Sequence, residues 1–367
     1  MQKRLLELEG DHMAGSGFGT IFRITTWGES HGPALGVTID GCPAGLPLAE
    51  EDLRPFMERR RPNAGPLSTK RSEADQAEIL SGVFEGKTTG TPISILIRNT
   101  DQRSRDYSDI ADVIRPGHAD YTYDCKYGFR DYRGGGRSSG RETAARVAAG
   151  AVASKLLASC GITFDTYLSA VGGIPVPDEY REDPVSCPEI AALLNEMREN
   201  GDSIGSEVCC RIKGVPSGLG DPVFEKLDAK LAAAVFSIGA VKALEIGSGI
   251  DSSRMRGSQF NDAFVLSEEG NITKETNHAG GILGGISDGS DILLHVFFKP
   301  TPSISASQKT VKGAAENTQI SIRGRHDPLI GARAAVVVET MSALVLADAL
   351  LINMTSRVDS VIRFYKS

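Results

Sequence analysis

Aromatic side chains are scarce, at 6% of 367 residues with Trp27 the single tryptophan, and basic residues are outnumbered: 40 Lys and Arg against 47 Asp and Glu leave a formal net charge of −7. An RNA-binding module needs a broad basic face or an aromatic stacking platform. The R-R-R-P and R-G-G-G-R stretches suggest such a module, but they lack both supports, so nucleic acid is not expected as a partner. Cysteine is sparse too. Cys42, Cys125, Cys160, Cys187, Cys209 and Cys210 show no C-x-x-C spacing, which argues against a disulfide framework or a zinc site and suits reduced cytosolic thiols. No run reaches the roughly 18 consecutive apolar residues of a membrane span, and the N-terminus lacks a basic-then-apolar secretion pattern. Residues 1–15, through G-D-H-M-A-G-S, read as an appended expression remnant. His12 therefore gets no role. Without a repeat or a low-complexity linker, residues 16–367 are read as one domain.

Familiar phosphate and nucleophile motifs are missing as well. The stretch G-V-F-E-G-K-T from Gly82 has one residue too few between its glycines for a P-loop, and no G-x-G-x-x-G occurs. Ser30 lies in G-E-S-H-G, outside the G-x-S-x-G elbow that exposes a nucleophile.

What the chain does have is concentrated between Arg115 and Ser159. His118, six arginines (Arg115, Arg130, Arg133, Arg137, Arg141, Arg146), Gly134 to Gly136 and the pair Ser138-Ser139 share one loop that feeds an Ala-rich helix. Ser139 followed three residues later by Glu142 is a capping-box pattern, and the spacing predicts a helix over 143–158. The unpaired N–H groups and dipole at its start face whatever the three glycines let approach, and a phosphate suits that place. The plainer alternative is a turning loop with solvated arginines. So much positive charge in an acidic protein weighs against it.

Elsewhere, β-branched alternation on either side of Gly28 to Pro33 predicts two strands around a loop carrying Glu29, Ser30 and His31. Residues 49–61 have helical spacing of Leu53, Phe56 and Met57 and end in R-R-R-P, where proline stops the helix. Asn63 to Gln76, with Lys70 and Arg71, and Asn99 to Ile114 read as polar loops. Glu78 to Phe84 and Pro92 to Ile97 read as hairpin strands, Ile162 to Ile174 and Val208 to Val215 as strands, and 188–200 and Pro222 to Phe236 as helices. A glycine-dense section, Asn277 to Gly289, precedes a strand Ile292 to Phe298 and then Lys299-Pro300-Thr301-Pro302-Ser303. Ser305 to Thr318 reads as a polar loop. R-G-R-H-D-P leads into a long apolar helix from Ala332 to Asn353, and Asp327 before Pro328 also looks like a helix cap. Strands and helices without regular β-α alternation predict an α+β fold.

Three candidate histidines (His31, His118, His326), an aspartate beside arginine and several glycine- or arginine-rich loops point to a pocket for a small phosphorylated, carboxylated molecule. A histidine there can protonate a leaving phosphate. The residues alone leave open a flavin-free phosphatase or phosphate transferase.

The motifs G-E-S-H-G, R-P-G-H-A-D-Y-T-Y, R-G-G-G-R-S-S-G-R-E-T-A-A-R-V-A-A-G-A, N-H-A-G-G-I-L-G-G-I-S-D-G and G-R-H-D-P stand in an order and spacing that resembles the chorismate synthase family, over Gly17 to Leu351. That resemblance implies a carbon–oxygen lyase, removing phosphate from 5-enolpyruvylshikimate 3-phosphate by trans-1,4 elimination to give chorismate, the last step of the shikimate pathway to aromatic amino acids. It implies reduced FMN without net redox change, a β-α-β sandwich of two antiparallel sheets enclosing helices (143–158 and 332–353 as the middle layer), and a cytoplasmic homotetramer. The chain length leaves no room for a reductase domain, so FMN is expected to be reduced by a separate flavin reductase, with NADPH as an alternative reductant.

By the same resemblance, His31 is the acid near the departing phosphate, His118 supports the flavin and Asp327 works with flavin N5 in removing the C6 proton. Ser30, Arg60, Arg115, Arg141 and Arg325 match substrate-binding positions. Arg137, Ser138, Ser139, Gly239, Ala240, Gly284, Lys299, Pro300, Thr301, Pro302, Ser303 and Arg325 match flavin-contacting ones, some reached from a neighbouring subunit. Three positions depart from the usual pattern: Pro66 where a basic residue is common, with Lys70 nearby, Gly140 where alanine is frequent, and Gly239 where a larger residue often stands.

Overall fold

A computed structural model describes residues 15–61, 75–99, 112–313, 316–322 and 328–366. The expectations for Arg325, His326 and Asp327, and for the stretch holding Pro66, Lys70 and Arg71, lie outside the described residues.

The N-terminal half supplies strands β1 (Gly17–Phe18), β2 (Arg23–Gly28), β3 (Ala34–Asp40), β4 (Ala77–Ile79), β5 (Val83–Phe84), β6 (Lys87–Thr88) and β7 (Ile93–Arg98). Five of them form one antiparallel sheet in the order β1-β2-β3-β7-β4, and β5 and β6 form a small hairpin of their own. The later part supplies β8 (Thr163–Val171), β9 (Ile174–Pro175), β10 (Ser206–Lys213), β11 (Val241–Ile246), β12 (Phe264–Leu266), β13 (Ile272–Lys274), β14 (Ile282–Leu283), β15 (Ile286–Ser287), β16 (Ile292–Phe298), β17 (Gln308–Lys312) and β18 (Glu316–Ile320). A second five-stranded antiparallel sheet runs β11-β16-β10-β8-β9, while β12-β13, β14-β15 and β17-β18 are hairpins. The helices are α1 (Glu50–Arg60), α2 (Asp120–Tyr127), α3 (Thr143–Ala158), α4 (Pro188–Glu199), α5 (Leu227–Phe236), α6 (Gly257–Phe260), α7 (Gly331–Asn353) and α8 (Val358–Lys366). The fold is α+β.

Period-two alternation decides which sheet faces are buried. Leu35, Val37 and Ile39 of β3 and Ile93, Ile95 and Ile97 of β7 point inward onto α3, and Val208, Cys210 and Ile212 of β10 face α7. Full burial of each such aliphatic side chain contributes roughly 1.5–3 kcal/mol. Helices α3 and α7 pack on each other, so both are apolar on nearly every side, as helices enclosed on all faces must be. By length and hydropathy α7 could cross a membrane, yet 83% of its apolar window is buried inside the fold. It is a core helix. At the crossing, Gly150 has no space for a side chain, because a Cβ there would lie 2.3 Å from Thr340 Cβ and 2.6 Å from Thr340 O.

Several local expectations need correction. Ser139 caps a short 3-10 turn, Gly140–Glu142, where its Oγ accepts from the Arg141 N–H at 3.3 Å. Glu142 does not complete a capping box. Its carboxylate takes charge-assisted and hydroxyl bonds instead, from Arg146 Nε at 2.7 Å and Thr26 Oγ1 at 2.9 Å. The strand expected from Glu78 to Phe84 breaks after Ile79: its first part lies in β4, which pairs with β7, and its last two residues form β5, which pairs with β6. The helix expected from Pro222 starts at Leu227, since Val223 takes a left-handed φ of 67° that no helix accommodates. The polar loop 305–318 contains β17 and pairs it with β18, a mostly polar ladder in which Val311 and the buried Ile320 are the apolar side chains, too few to show an amphipathic period. Helices α2 and α8 escape a burial-based reading because α8 buries nothing and α2 buries only Asp120.

Candidate active site

The loop between β2 and β3 is shaped by Gly28, whose φ of 87° and contact with Ala34 O exclude a side chain. It turns Ser30 and His31 inward, to 1% and 8% exposure. Ser30 Oγ lies 3.1 Å from His31 Nδ1, a hydrogen bond that orients the ring, and the hydroxyl can donate or accept in it. The glycine loop closes over this pair: Gly134, at φ 66°, sits where a Cβ would fall 2.2 Å from His31 Cε1 and 2.5 Å from Nδ1. Nearby, Asp131 is paired with Arg133 at 2.8 Å, and that hydrogen bond, helped by the charges of Arg133 and His31, holds its carboxyl below the usual range.

Three buried arginines, Arg60, Arg115 and Arg141, are each paired with a carboxylate. Arg115 donates to Asp120 through Nε at 2.7 Å and Nη2 at 2.6 Å. Burial would raise the Asp120 carboxyl, but the Arg115 hydrogen bonds and the charges of Arg115 and Arg130 outweigh it and lower the pKa. Arg60, at the end of α1, and Arg141, just before α3, share Asp75. Burial pulls the Arg60 pKa down to about 10, Asp75 opposing and Arg333 and Arg141 adding to the fall. Asn99 joins the two halves of the site. Its Oδ1 accepts from Arg141 Nε at 3.0 Å, while its Nδ2 donates to Glu29 O at 3.0 Å and Gly32 O at 2.8 Å, on the His31 loop.

His118 belongs to the neighbouring turn, its backbone N–H bonded to Arg115 O. Its Nε2 lies 2.8 Å from Ser303 Oγ, and Lys299 Nζ donates to Gly117 O at 2.8 Å. Lys299 also donates its backbone N–H to Ala240 O, and burial, with Lys242 second, lowers its side-chain pKa. The segment from Lys299 to Ser303 is thereby brought to His118 and to Ala240. Thr301 Oγ1 is buried there without a hydrogen-bond partner among the described residues.

Other expected positions are not brought to this centre. The Arg137 guanidinium turns back to β2, with Nη2 donating to Thr26 Oγ1 at 2.7 Å, and Ser138 Oγ donates to Gly135 O within the loop. Gly239 and Gly284 have open space where a side chain would be. Neither makes a described contact with the histidines or the buried arginines.

Reading the sequence missed Asp75, Asp120 and Asn99. Buried arginines require buried partners, so carboxylates were to be sought. Asp120, five residues after Arg115 in R-P-G-H-A-D, was within reach of that argument; Asp75 and Asn99 meet Arg141 only through the tertiary fold.

The family model described as chorismate synthase matches residues 22–351. The chorismate synthase of Lachnoclostridium phytofermentans is 55% identical over 368 residues, covering 96% of this chain and all of that one. That of Methanosarcina mazei is 53% identical over 354 residues, covering 92% and 97%. A crystal structure of chorismate synthase superposes with a TM-score of 0.73 at 32% identity, covering 95% of this chain and 97% of the other. Matches of this extent run through every segment of the site just described, and the chain belongs to the chorismate synthase family, a lyase that makes chorismate.

Proposed function

We propose that the chain acts on 5-enolpyruvylshikimate 3-phosphate by trans-1,4 elimination of phosphate, with reduced FMN as cofactor and no net redox change. The observation that carries this reading is the seating of Gly134 on His31, with Asn99 tying that loop to Arg141: an oriented imidazole beside cations is what a departing phosphate needs. His31 delivers the proton to the leaving phosphate, and Ser30 holds its ring. Arg60, Arg115, Arg141 and Arg325 take the phosphate and carboxylates, in a fork geometry suited to both. His118, kept in place by Ser303, holds a proton beside the flavin, and Asp327 accepts one from the C6 side.

Two features suit a flavin. The left-handed glycines 134–136 allow close backbone approach, and the unpartnered Thr301 Oγ1 offers a polar contact within the Lys299–Ser303 segment. Ser139, Ala240, Lys299, Pro300, Thr301, Pro302 and Ser303 would hold FMN, with Arg325, and Arg137 and Ser138 would join them by exchanging their bonds to Thr26 and Gly135 for the cofactor. The open space at Gly239 and Gly284 suits contributions across subunits of a homotetramer. When bound, reduced FMN supplies electron density to the allylic system as phosphate departs. The two sheets with α3 and α7 between them fit a β-α-β sandwich. A cytoplasmic enzyme served by a separate flavin reductase, or by NADPH, completes the reading.

The test is an anaerobic assay of phosphate release and chorismate absorbance with dithionite-reduced FMN, beside a sample containing oxidised FMN and NADPH. Turnover in the first alone supports a monofunctional enzyme, and turnover in both shows intrinsic flavin reduction. No turnover in either sinks the reading in favour of flavin-free phosphate chemistry.

A further inference from the structure

Asp75 belongs to no motif in the sequence, yet it stands between two of the arginines assigned to the substrate. Its side chain is 0% exposed, and those of Arg60 and Arg141 are 3% exposed. Oδ2 accepts from Arg60 Nε at 3.1 Å and from Arg60 Nη2, while Oδ1 accepts from Arg141 Nη1. Other groups steady the same guanidiniums: Arg60 Nη1 reaches Thr143 Oγ1 at 3.5 Å, and Arg141 Nε reaches Asn99. Asp75 itself is held at φ 46°, a left-handed conformation that persists in a non-glycine residue only where its surroundings fix it.

Two guanidiniums side by side repel, and the loss of water on burial strengthens that repulsion. A carboxylate divided between them offsets it and sets the planes of both. We propose that Asp75 is a positioning residue for substrate binding, touching neither substrate nor flavin, which holds Arg60 and Arg141 together so that an incoming anion meets two oriented forks. The proposal rests on the reading of those arginines as substrate-binding, and the experiment separates the two.

Asp75→Asn, Arg60→Ala and Arg141→Ala are assayed with reduced FMN and 5-enolpyruvylshikimate 3-phosphate, together with FMN affinity and thermal midpoint. The expected result for Asp75→Asn is a KM raised at least about tenfold, with kcat changed by less than about threefold and FMN affinity unchanged, as for loss of charge-assisted hydrogen bonds that orient a binding group. A role confined to folding would lower the midpoint and the active fraction while the surviving enzyme kept its wild-type KM, and that outcome overturns the proposal. Should Asp75→Asn fail to fold, Asp75→Glu, which keeps the charge but displaces it by one methylene, carries the same test: a raised KM supports the proposal and a wild-type KM overturns it. If both arginine variants keep the wild-type KM, the substrate-binding reading itself fails and this proposal with it. If they raise KM while Asp75→Asn does not, only the role of Asp75 is lost.

Discussion

Gly134 covers the imidazole of His31 so closely that a methyl group on it would stand 2.2 Å from Cε1. The backbone there is left-handed, at φ 66°, so two separate penalties meet at one position. Gly134→Ala is expected to push the ring or the loop aside and to lower kcat by roughly 10²-fold or more, the scale of a displaced acid–base group. Circular dichroism and the thermal midpoint should change little by comparison. Wild-type turnover in this variant would mean that the loop gives way freely and that its contact with His31 is not part of catalysis.

His118 Nε2 lies 2.8 Å from Ser303 Oγ, while its backbone N–H is bonded to Arg115 O. His118→Ala should leave FMN affinity largely intact while turnover falls by roughly 10²-fold, as for loss of a proton-holding group. Flavin fluorescence titration and steady-state turnover, measured on one preparation, decide the matter. Unchanged turnover would remove His118 from the mechanism.

The contact between Gly150 and Thr340 makes a prediction about stability. Gly150→Ala would set a Cβ within 2.6 Å of Thr340 O, a backbone atom that cannot swing away. Overpacking of this kind costs about 1–3 kcal/mol. A lowered guanidinium midpoint is expected, against the gain that alanine usually brings to a helix interior. A midpoint equal to or above wild type would show that α3 and α7 separate easily.

A pH dependence follows from Asp262, outside the site. Its side chain is 2% exposed, and although burial alone would raise its pKa, Thr276 Oγ1, two backbone N–H groups and Lys274 bring it down to about 2. The folded value lies below the unfolded one. The stabilisation is therefore complete above about pH 4 and is lost as pH falls towards 2, a contribution on the order of 2 kcal/mol. Asp262→Asn should be less stable than wild type at pH 7 and lose less on acidification from 4 to 2. Parallel melting curves for the two proteins across that interval would refute the assignment.

The strands and core helices were legible because their signals are local. Leu35, Val37 and Ile39 alternate within one strand, and Thr143–Ala158 carries its helix propensity in its own composition. The position of His31 was legible as a loop tip between two strands, and its neighbourhood was not. Gly134 lies far along the chain, and only the tertiary fold sets it on the ring. The same applies to Asp75, since a lone aspartate in E-A-D-Q carries no mark of the two arginines it will join. Charge partners in a core are chosen by three-dimensional proximity, and no period in the sequence encodes that. The β17-β18 ladder is hidden for a related reason: its inward face is built largely of Gln308, Thr310 and Thr318, and only Ile320 there is both apolar and buried.

The crossing of α3 and α7 reaches further than the core it fills. Arg141 sits immediately ahead of α3, whereas α7 grips the end of α1 by two contacts, Glu339 with Arg59 and Arg333 Nε with Arg60 O. Of the two arginines that share Asp75, Arg60 ends α1, a helix packed on both α3 and α7, and Arg141 immediately precedes α3. The backbone bearing both guanidiniums therefore belongs to the same packed unit as the close crossing of Gly150 and Thr340. The segments that carry the two charges are thus only as movable as the close-packed core they are part of.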